Sequence, residues 1–280
     1  MRSLDSCAIA QLIEEEIPRL ACCLAPDIEQ AFQRAFEAEK RSHAQEVMRQ
    51  LVHNNQIAKT EMRPLCQDTG SVWVALEIGP DISITGSVFE GLNAAVARTY
   101  DKAHLRKSIV ADALINRSNT QTNTPAFCEI IPSIKPGARL HLMLKGGGSD
   151  NASRVCMLTP SAGYEGIEEA LLACVKEKAA NACPPLIIGL GIGSTFDKVA
   201  SLAKHALMRP VGSTHEESQI AQIEERLLKR VNALGIGPGA LGGLNTALAV
   251  HIMSAPCHIA ALPFAINMGC CALRRATYEL

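Results

Sequence analysis

The stretch Pro184-Pro185-Leu186-Ile187-Ile188-Gly189-Leu190-Gly191-Ile192-Gly193-Ser194-Thr195 decides the fold class. Its first part, Pro184–Leu190, is an apolar run with β-branched residues, the pattern of a buried strand. The glycines that follow read as a tight turn, and helical spacing resumes over residues 197–207. A strand feeding a glycine turn and then a helix is a building block of α/β folds, whose loops at strand ends are available for chemistry. The run also invites a dinucleotide-binding reading, but it fails that fingerprint. Gly189, Gly191 and Gly193 put the third glycine one position early, and no Gly-Lys-Ser/Thr occurs in the chain. A helix beginning after these glycines would still favour an anion.

Working outward, residues 8–60 read as helices. Ile9, Leu12, Ile13 and Ile17 share one face, Pro18 interrupts, and a second pattern runs from Ile28 through Phe32 and Phe36 toward Leu51. Ser71–Ile78 is a strand ended by Gly79-Pro80, and 86–104 is helical. A polar loop spans 116–124. Residues 126–131 and 139–144 read as two strands paired around the turn Lys135-Pro136-Gly137. Residues 145–149 form a loop, 165–181 and 216–234 are helices, and 248–252 and 259–266 are late strands. The expected architecture is α/β: a helix-rich single lobe over 1–280 with a central sheet, functional loops and a helical N-terminal region over 1–60. A chain of 280 residues is long enough for one large domain or two intimate lobes.

Composition removes several function classes. Lys+Arg number 27 against 28 Asp+Glu, so no basic face steers the protein to nucleic acid or an anionic membrane. Aromatic residues are 4% of the chain, too few for base-stacking platforms. No apolar run approaches the roughly 18 residues of a membrane span. The run Glu14-Glu15-Glu16 does not fit a signal peptide, so a cytoplasmic location is expected. Eleven cysteines, an odd and irregularly spaced set, argue against a disulfide framework and for reduced thiols kept for metal or catalysis. Most of them are expected to be small buried hydrophobes.

Three cysteines stand in polar or glycine-rich surroundings: Cys66 in Cys-Gln-Asp-Thr-Gly, Cys183 in Asn-Ala-Cys-Pro-Pro, and Cys270 in Asn-Met-Gly-Cys-Cys-Ala-Leu-Arg-Arg. Their wide separation is not the close pairing of zinc fingers, ribbons or ferredoxin clusters, so spacing assigns them nothing. Four motifs taken in order carry more. Cys-Gln-Asp-Thr-Gly at 66–70, Lys-Gly-Gly-Gly-Ser-Asp-Asn at 145–151, Ala-Cys-Pro-Pro at 182–185 and His-Ile-Ala-Ala-Leu-Pro at 258–263 resemble the class I fumarate hydratase and tartrate dehydratase family. The resemblance covers roughly residues 40–275.

The resemblance implies a hydro-lyase whose [4Fe–4S] cluster is held by Cys66, Cys183 and Cys270, with Cys271 the neighbouring alternative for the third position. Three thiolates would leave one iron open as a Lewis acid toward a small dicarboxylate. It further implies that Arg106 binds a substrate carboxylate, a task suited to a planar guanidinium. Gln67 and Asp68 would face substrate, with Asp68 the candidate acid for the departing water. Gly148 would offer a backbone N–H to an anion, and His258 would be an active-site histidine. Asn119 and Asn123 fall in a supporting loop.

Single-chain relatives carry a second lobe with more substrate cations and the proton-abstracting base. The resemblance is therefore to an α subunit completed by a separate β subunit, as a homodimer or an α2β2 assembly. Ser149-Asp150-Asn151 resembles fumarase members, which favours fumarate hydration to malate. L-tartrate and mesaconate are the alternatives. A non-catalytic iron–sulfur protein or a zinc-stabilised scaffold are the readings from other classes.

Overall fold

In the computed structural model, which describes residues 2–84 and 86–280, the glycines at 189–193 do not form a turn. They lie inside a nine-residue strand, β7 (Leu186–Ser194). The reason is tertiary. Residues two apart share a strand face, and helix α7 (Phe196–Ala206) lies directly on the face of Gly189 and Gly191. A Cβ at Gly189 would stand 2.1 Å from the Ala203 carbonyl oxygen, and one at Gly191 2.2 Å from that of Val199. Gly189 and Gly191 are clearance for a helix, whereas Gly193, with φ +86°, clears the Ala255 carbonyl.

The chain forms two compact units. The first comprises the chain up to Ala25, Asn55–Gly147 and Leu273–Leu280. It contains β1 (Arg2–Leu4), α1 (Ser6–Cys22), β2 (Ser71–Ile78), β3 (Ile82–Ile84), α4 (Leu92–Lys102), β4 (Phe127–Pro132), β5 (Ala138–Lys145) and β10 (Arg274–Glu279). Its four-stranded sheet has the order β10-β5-β2-β4, and β1 pairs separately with β3. Central β2 is antiparallel to β5 and parallel to β4. Residues 126–131 and 139–144 are thus strands, as expected, but they are not each other's partners: β2 lies between them. The core packs Ile9, Ile13, Ile17 and Leu20 of α1 and Val96 and Tyr100 of α4 with Val72, Val74, Leu140 and Leu142 of the sheet. Each such aliphatic side chain contributes about 1.5–3 kcal/mol when fully buried.

Two sequence expectations shift here. Pro18 does not end α1; it sits inside the helix. A proline cannot bond back to the carbonyl four residues earlier, and the freed Glu14 oxygen instead accepts the Thr99 hydroxyl at 3.1 Å. Helix α4 starts at Leu92 rather than 86, because Gly86 and Gly91 adopt positive φ.

The second unit comprises Pro26–Asn54 and Gly148–Ala272. It holds α2 (Pro26–Ala38), most of α3 (Ser42–Glu61), β6 (Arg154–Leu158), α6 (Gly163–Lys178), β7, α7, α8 (Ser218–Asn232), β8 (Ala247–Cys257) and β9 (Leu262–Gly269). The short helix α5 (Gly147–Asn151) replaces the expected loop after β5. Sheet order is β6-β9-β7-β8, with β7 parallel to β8 and antiparallel to β9. The outer edge of β8 is closed by side chains of α8. Glu224 accepts the Ile252 N–H at 2.6 Å, and Asn232 bonds both the N–H and the carbonyl of Ala247, at 2.9 and 3.1 Å.

The expected α/β class and helical N-terminal region are what the structure has. The strands are distributed over two four-stranded sheets, one per unit, and β6 and β10 join those read from the sequence. No helix among the described residues is long and apolar enough to cross a membrane.

Candidate functional site

In the first unit, Cys66 to Gly70 form a turn between α3 and β2. Leu65, Thr69 and Gly70 are buried, Cys66 and Asp68 half-buried, and Gln67 exposed. The Cys66 thiol donates to Gln67 Oε1 at 3.2 Å. Both carboxylate oxygens of Asp68 accept backbone N–H groups, Oδ1 from Gly70 at 3.0 Å and Oδ2 from Gly147 at 2.7 Å. This ties Cys-Gln-Asp-Thr-Gly to the start of the Gly146-Gly147 segment. The close approach demands glycine at 70, where φ is +82° and a Cβ would meet Leu144 and Lys145 backbone atoms at 2.9 Å.

Buried polar side chains complete the turn. Arg274, 1% exposed, donates Nη1–H to the Asp68 carbonyl at 2.8 Å. The buried Tyr100 hydroxyl donates toward the carbonyls of Thr69 and Gly70, at 3.2 and 3.0 Å. Burial pushes the Tyr100 pKa far up, so it stays a donor across the working range. Asn123, fully buried, donates to the Gly70 carbonyl at 3.1 Å and accepts the Ser108 N–H at 2.7 Å. Asn119 donates to the Lys107 carbonyl at 2.8 Å. The Thr69 hydroxyl donates to the carbonyl of Arg106 at 2.6 Å, which fixes that backbone against the turn. The Arg106 side chain is exposed. Cys66, Gln67, Asp68 and Arg106 are thus brought together.

In the second unit, Cys183 ends a short 3₁₀ turn (Ala179–Ala182) and adopts left-handed backbone, φ 54° and ψ 73°, with its side chain exposed. Its carbonyl accepts the Cys271 N–H at 3.0 Å, so the Cys183 and Cys270-Cys271 segments meet. Both Cys270 and Cys271 are half-buried. Gly148 borders the same turn, since a Cβ there would stand 3.1 Å from the Asn181 carbonyl oxygen. His258 is exposed in the β8–β9 turn. Its Nδ1 accepts the Ala260 N–H at 3.1 Å, which leaves Nε2 as the ring's donor.

The other cysteines are less buried than expected: Cys7, Cys128 and Cys257 are exposed, Cys23 and Cys156 half-buried. Cys22 and Cys174 are buried, and burial raises the pKa of both thiols. No two cysteines are bonded. Cys66 in the first unit, and Cys183, Cys270 and Cys271 in the second, lie at the ends of regular elements with access to solvent, and thiolates so placed are soft donors. Sequence reasoning missed Tyr100 and Arg274, which hold the Cys66 turn. The available signal was the Arg-Arg pair that ends the Cys270 motif.

Residues 10–279 match the family model described as fumarate hydratase (Fumerase). A Methanocaldococcus jannaschii protein provisionally named L(+)-tartrate dehydratase subunit alpha is 35% identical, over 96% of both chains. The L(+)-tartrate dehydratase subunit alpha of Escherichia coli K12 is 31% identical over 96% of this chain and 89% of its own.

Proposed function

Because the chain belongs to the fumarate hydratase (Fumerase) family and is a hydro-lyase, we propose that it is the cluster-binding α subunit of a [4Fe–4S] enzyme that adds water to, or removes it from, a four-carbon dicarboxylate. The observation that carries this reading is the turn at 66–70, where a partly accessible thiol, a fixed carboxylate and a tethered arginine backbone are gathered. Cys66, Cys183 and Cys270 are the proposed ligands, with residues 1–280 acting as one functional domain.

When bound, such a cluster supplies one iron without a protein ligand, a Lewis acid for a substrate hydroxyl and carboxylate. The remaining work falls to side chains. The exposed Arg106 guanidinium can grip a carboxylate through two parallel N–H bonds and stabilise the charge that builds there as the adjacent carbon loses its proton. Gln67 can present its amide N–H₂ to substrate; the S–H bond its oxygen now accepts would be given up when Cys66 binds iron as thiolate. Asp68 is the proposed group that moves a proton to or from the departing water. The Gly148 N–H and His258 Nε2–H are proposed anion donors.

A dicarboxylate brings two charges, and these residues supply neither a second assigned carboxylate cation nor a carbon base. Both are assigned to a separate β subunit, in keeping with relatives that are themselves named α subunits. Fumarate hydration to malate rests on Ser149-Asp150-Asn151. L-tartrate dehydration is the second reading, favoured by the names of the relatives.

Anaerobic reconstitution tests the core of the proposal. About four irons should bind per chain, and Cys66→Ser, Cys183→Ser and Cys270→Ser should each lose the cluster while Cys22→Ser keeps it. Retention in Cys270→Ser with loss in Cys271→Ser would move the third ligand by one residue. Wild-type cluster content in all four would sink the assignment. Adding the β subunit should switch on turnover, and kcat/KM for fumarate against L-tartrate then selects the substrate.

A further inference from the structure

We infer that Glu39 is a positioning residue for Cys183, acting through the glycine loop 235–245; its link to catalysis rests on the reading of Cys183 as a cluster ligand. Glu39 stands just beyond α2, far in sequence from any motif, and is 3% exposed. A buried carboxylate without a cationic partner is costly unless its oxygens are well bonded. Here they accept four donors. Oε1 takes the N–H groups of Lys40 and Arg41, at 3.0 and 3.4 Å. Oε2 takes the Leu244 N–H at 2.8 Å and the Asn245 side-chain N–H at 3.2 Å. The two bonds from Oε2 reach across some two hundred residues of sequence and clasp one end of the loop Gly235-Ile-Gly-Pro-Gly-Ala-Leu-Gly-Gly-Leu-Asn245.

The loop is built to accept that clasp. Gly243 has φ +135°, and a Cβ there would stand 2.8 Å from Glu39 Oε2 itself. At the far side, the Gly239 N–H donates to the Pro184 carbonyl at 2.9 Å, one residue past Cys183. Thr246, fully buried, extends the support: its hydroxyl accepts the Gly237 N–H at 3.1 Å and its carbonyl the Leu186 N–H at 2.9 Å. Cys183 holds an unfavourable left-handed backbone, which a non-glycine residue keeps only when its flanks are fixed. The Cys183 carbonyl is fixed by Cys271 and the next one by this loop. Glu39 therefore holds the loop at Leu244 and the same loop bonds Pro184 from Gly239, the two contacts being joined by the short main-chain segment between them.

The test uses the full chain without cluster, so it does not depend on cluster chemistry. Iodoacetamide alkylation of Cys183 and Cys66 and hydrogen exchange of the Gly239 and Leu244 amides are followed by mass spectrometry. In Glu39→Gln, one oxygen must serve where two did, and the amide N–H₂ faces backbone donors. Cys183 alkylation should change several-fold and Gly239 exchange should quicken at least tenfold, with Cys66 alkylation unchanged. Asn245→Ala, a milder loss, should move both in the same direction by less. Unchanged Cys183 alkylation and Gly239 exchange in a folded Glu39→Gln overturns the inference. So does equal acceleration at Cys66, which would make Glu39 a general stability residue. Should Cys183→Ser keep its cluster, the proposed function falls while the coupling of Glu39 to Cys183 is still read directly.

Discussion

The turns that carry Cys66 and Cys183 do the same job by opposite means. Apart from Gly70, the Cys66 turn is held by side chains: Asp68, Thr69, Tyr100, Asn123 and Arg274 each make a bond that a substitution can delete. The Cys183 turn is held by main chain, through the Cys271 and Gly239 N–H groups, with glycine clearance around them. A side-chain scaffold is weakened by removing atoms. A backbone scaffold resists removal and is broken by adding them.

The largest effect should therefore come from one added methyl in the second region. Gly237 has φ +70°, and a Cβ would lie 2.1 Å from the carbonyl carbon and oxygen of Gly242. These are backbone atoms and cannot swing aside. Gly237→Ala should cost on the order of 3–5 kcal/mol in urea unfolding, combining conformational strain with overpacking. Gly86→Ala is the control. It has a similar φ of +75° but nothing within 4 Å, so strain alone should cost about 1 kcal/mol. Equal losses would mean that clearance contributes nothing.

Next comes deletion in the first region. Arg274→Met keeps much of the volume but leaves the Asp68 carbonyl without its guanidinium donor. About 2–3 kcal/mol should be lost, because a buried acceptor stays unpaired. The Asp68 and Gly147 amides should exchange faster while the Gly239 amide does not. Parallel loosening of both turns would erase the distinction.

How much of this was legible before folding follows the same division. Cys66, Gln67, Asp68 and Gly70 could be read because they form one short motif ahead of a patterned strand, Ser71–Ile78, found at its observed bounds. Gly191 was misread as part of a turn ending the strand at Leu190, because a sequence window sees the missing side chain but not the helix that requires it. Residues 126–131 and 139–144 were found as strands and mispaired, since register with β2 is decided at long range. Pro18 read as a break because its rescue by Thr99 lies on another helix. Arg274 and Glu39 stayed hidden because a charged residue reads as exposed by default, and only its bonding partners explain its burial.

A smaller effect is expected for Asp68→Asn, the substitution that would ordinarily isolate proton transfer. Since both oxygens of Asp68 already accept N–H groups, asparagine keeps one acceptor and turns its N–H₂ toward either Gly70 or Gly147. Stability should fall by about 1–2 kcal/mol, with faster exchange at Gly147. A large loss in kcat beyond that cost, with cluster content retained, supports a proton-transfer role. Loss of activity that tracks cluster loss would show Asp68 to be scaffold alone.

The smallest effect is acid sensitivity, and it should appear in the backbone-held region through its single carboxylate clasp. Burial by itself would raise the Glu39 pKa, but the backbone N–H groups of Leu244, Arg41 and Lys40 and the Asn245 amide outweigh it, so the folded value lies below the ordinary 4.5. The sign follows from linkage. A depressed carboxylate adds stability that is fully present above the unfolded pKa and is lost as pH falls through the folded one. The Leu244 and Gly239 amides should therefore keep their protection down to the ordinary carboxylate range and lose it below. Protection factors measured from pH 6 downward, with Glu39→Gln as reference, isolate this group from the others that titrate. The wild-type profile should bend while the variant's, already lacking the charge, stays flat across the same window. Matching profiles would remove Glu39 from the support of the loop and leave the glycines to hold it unaided.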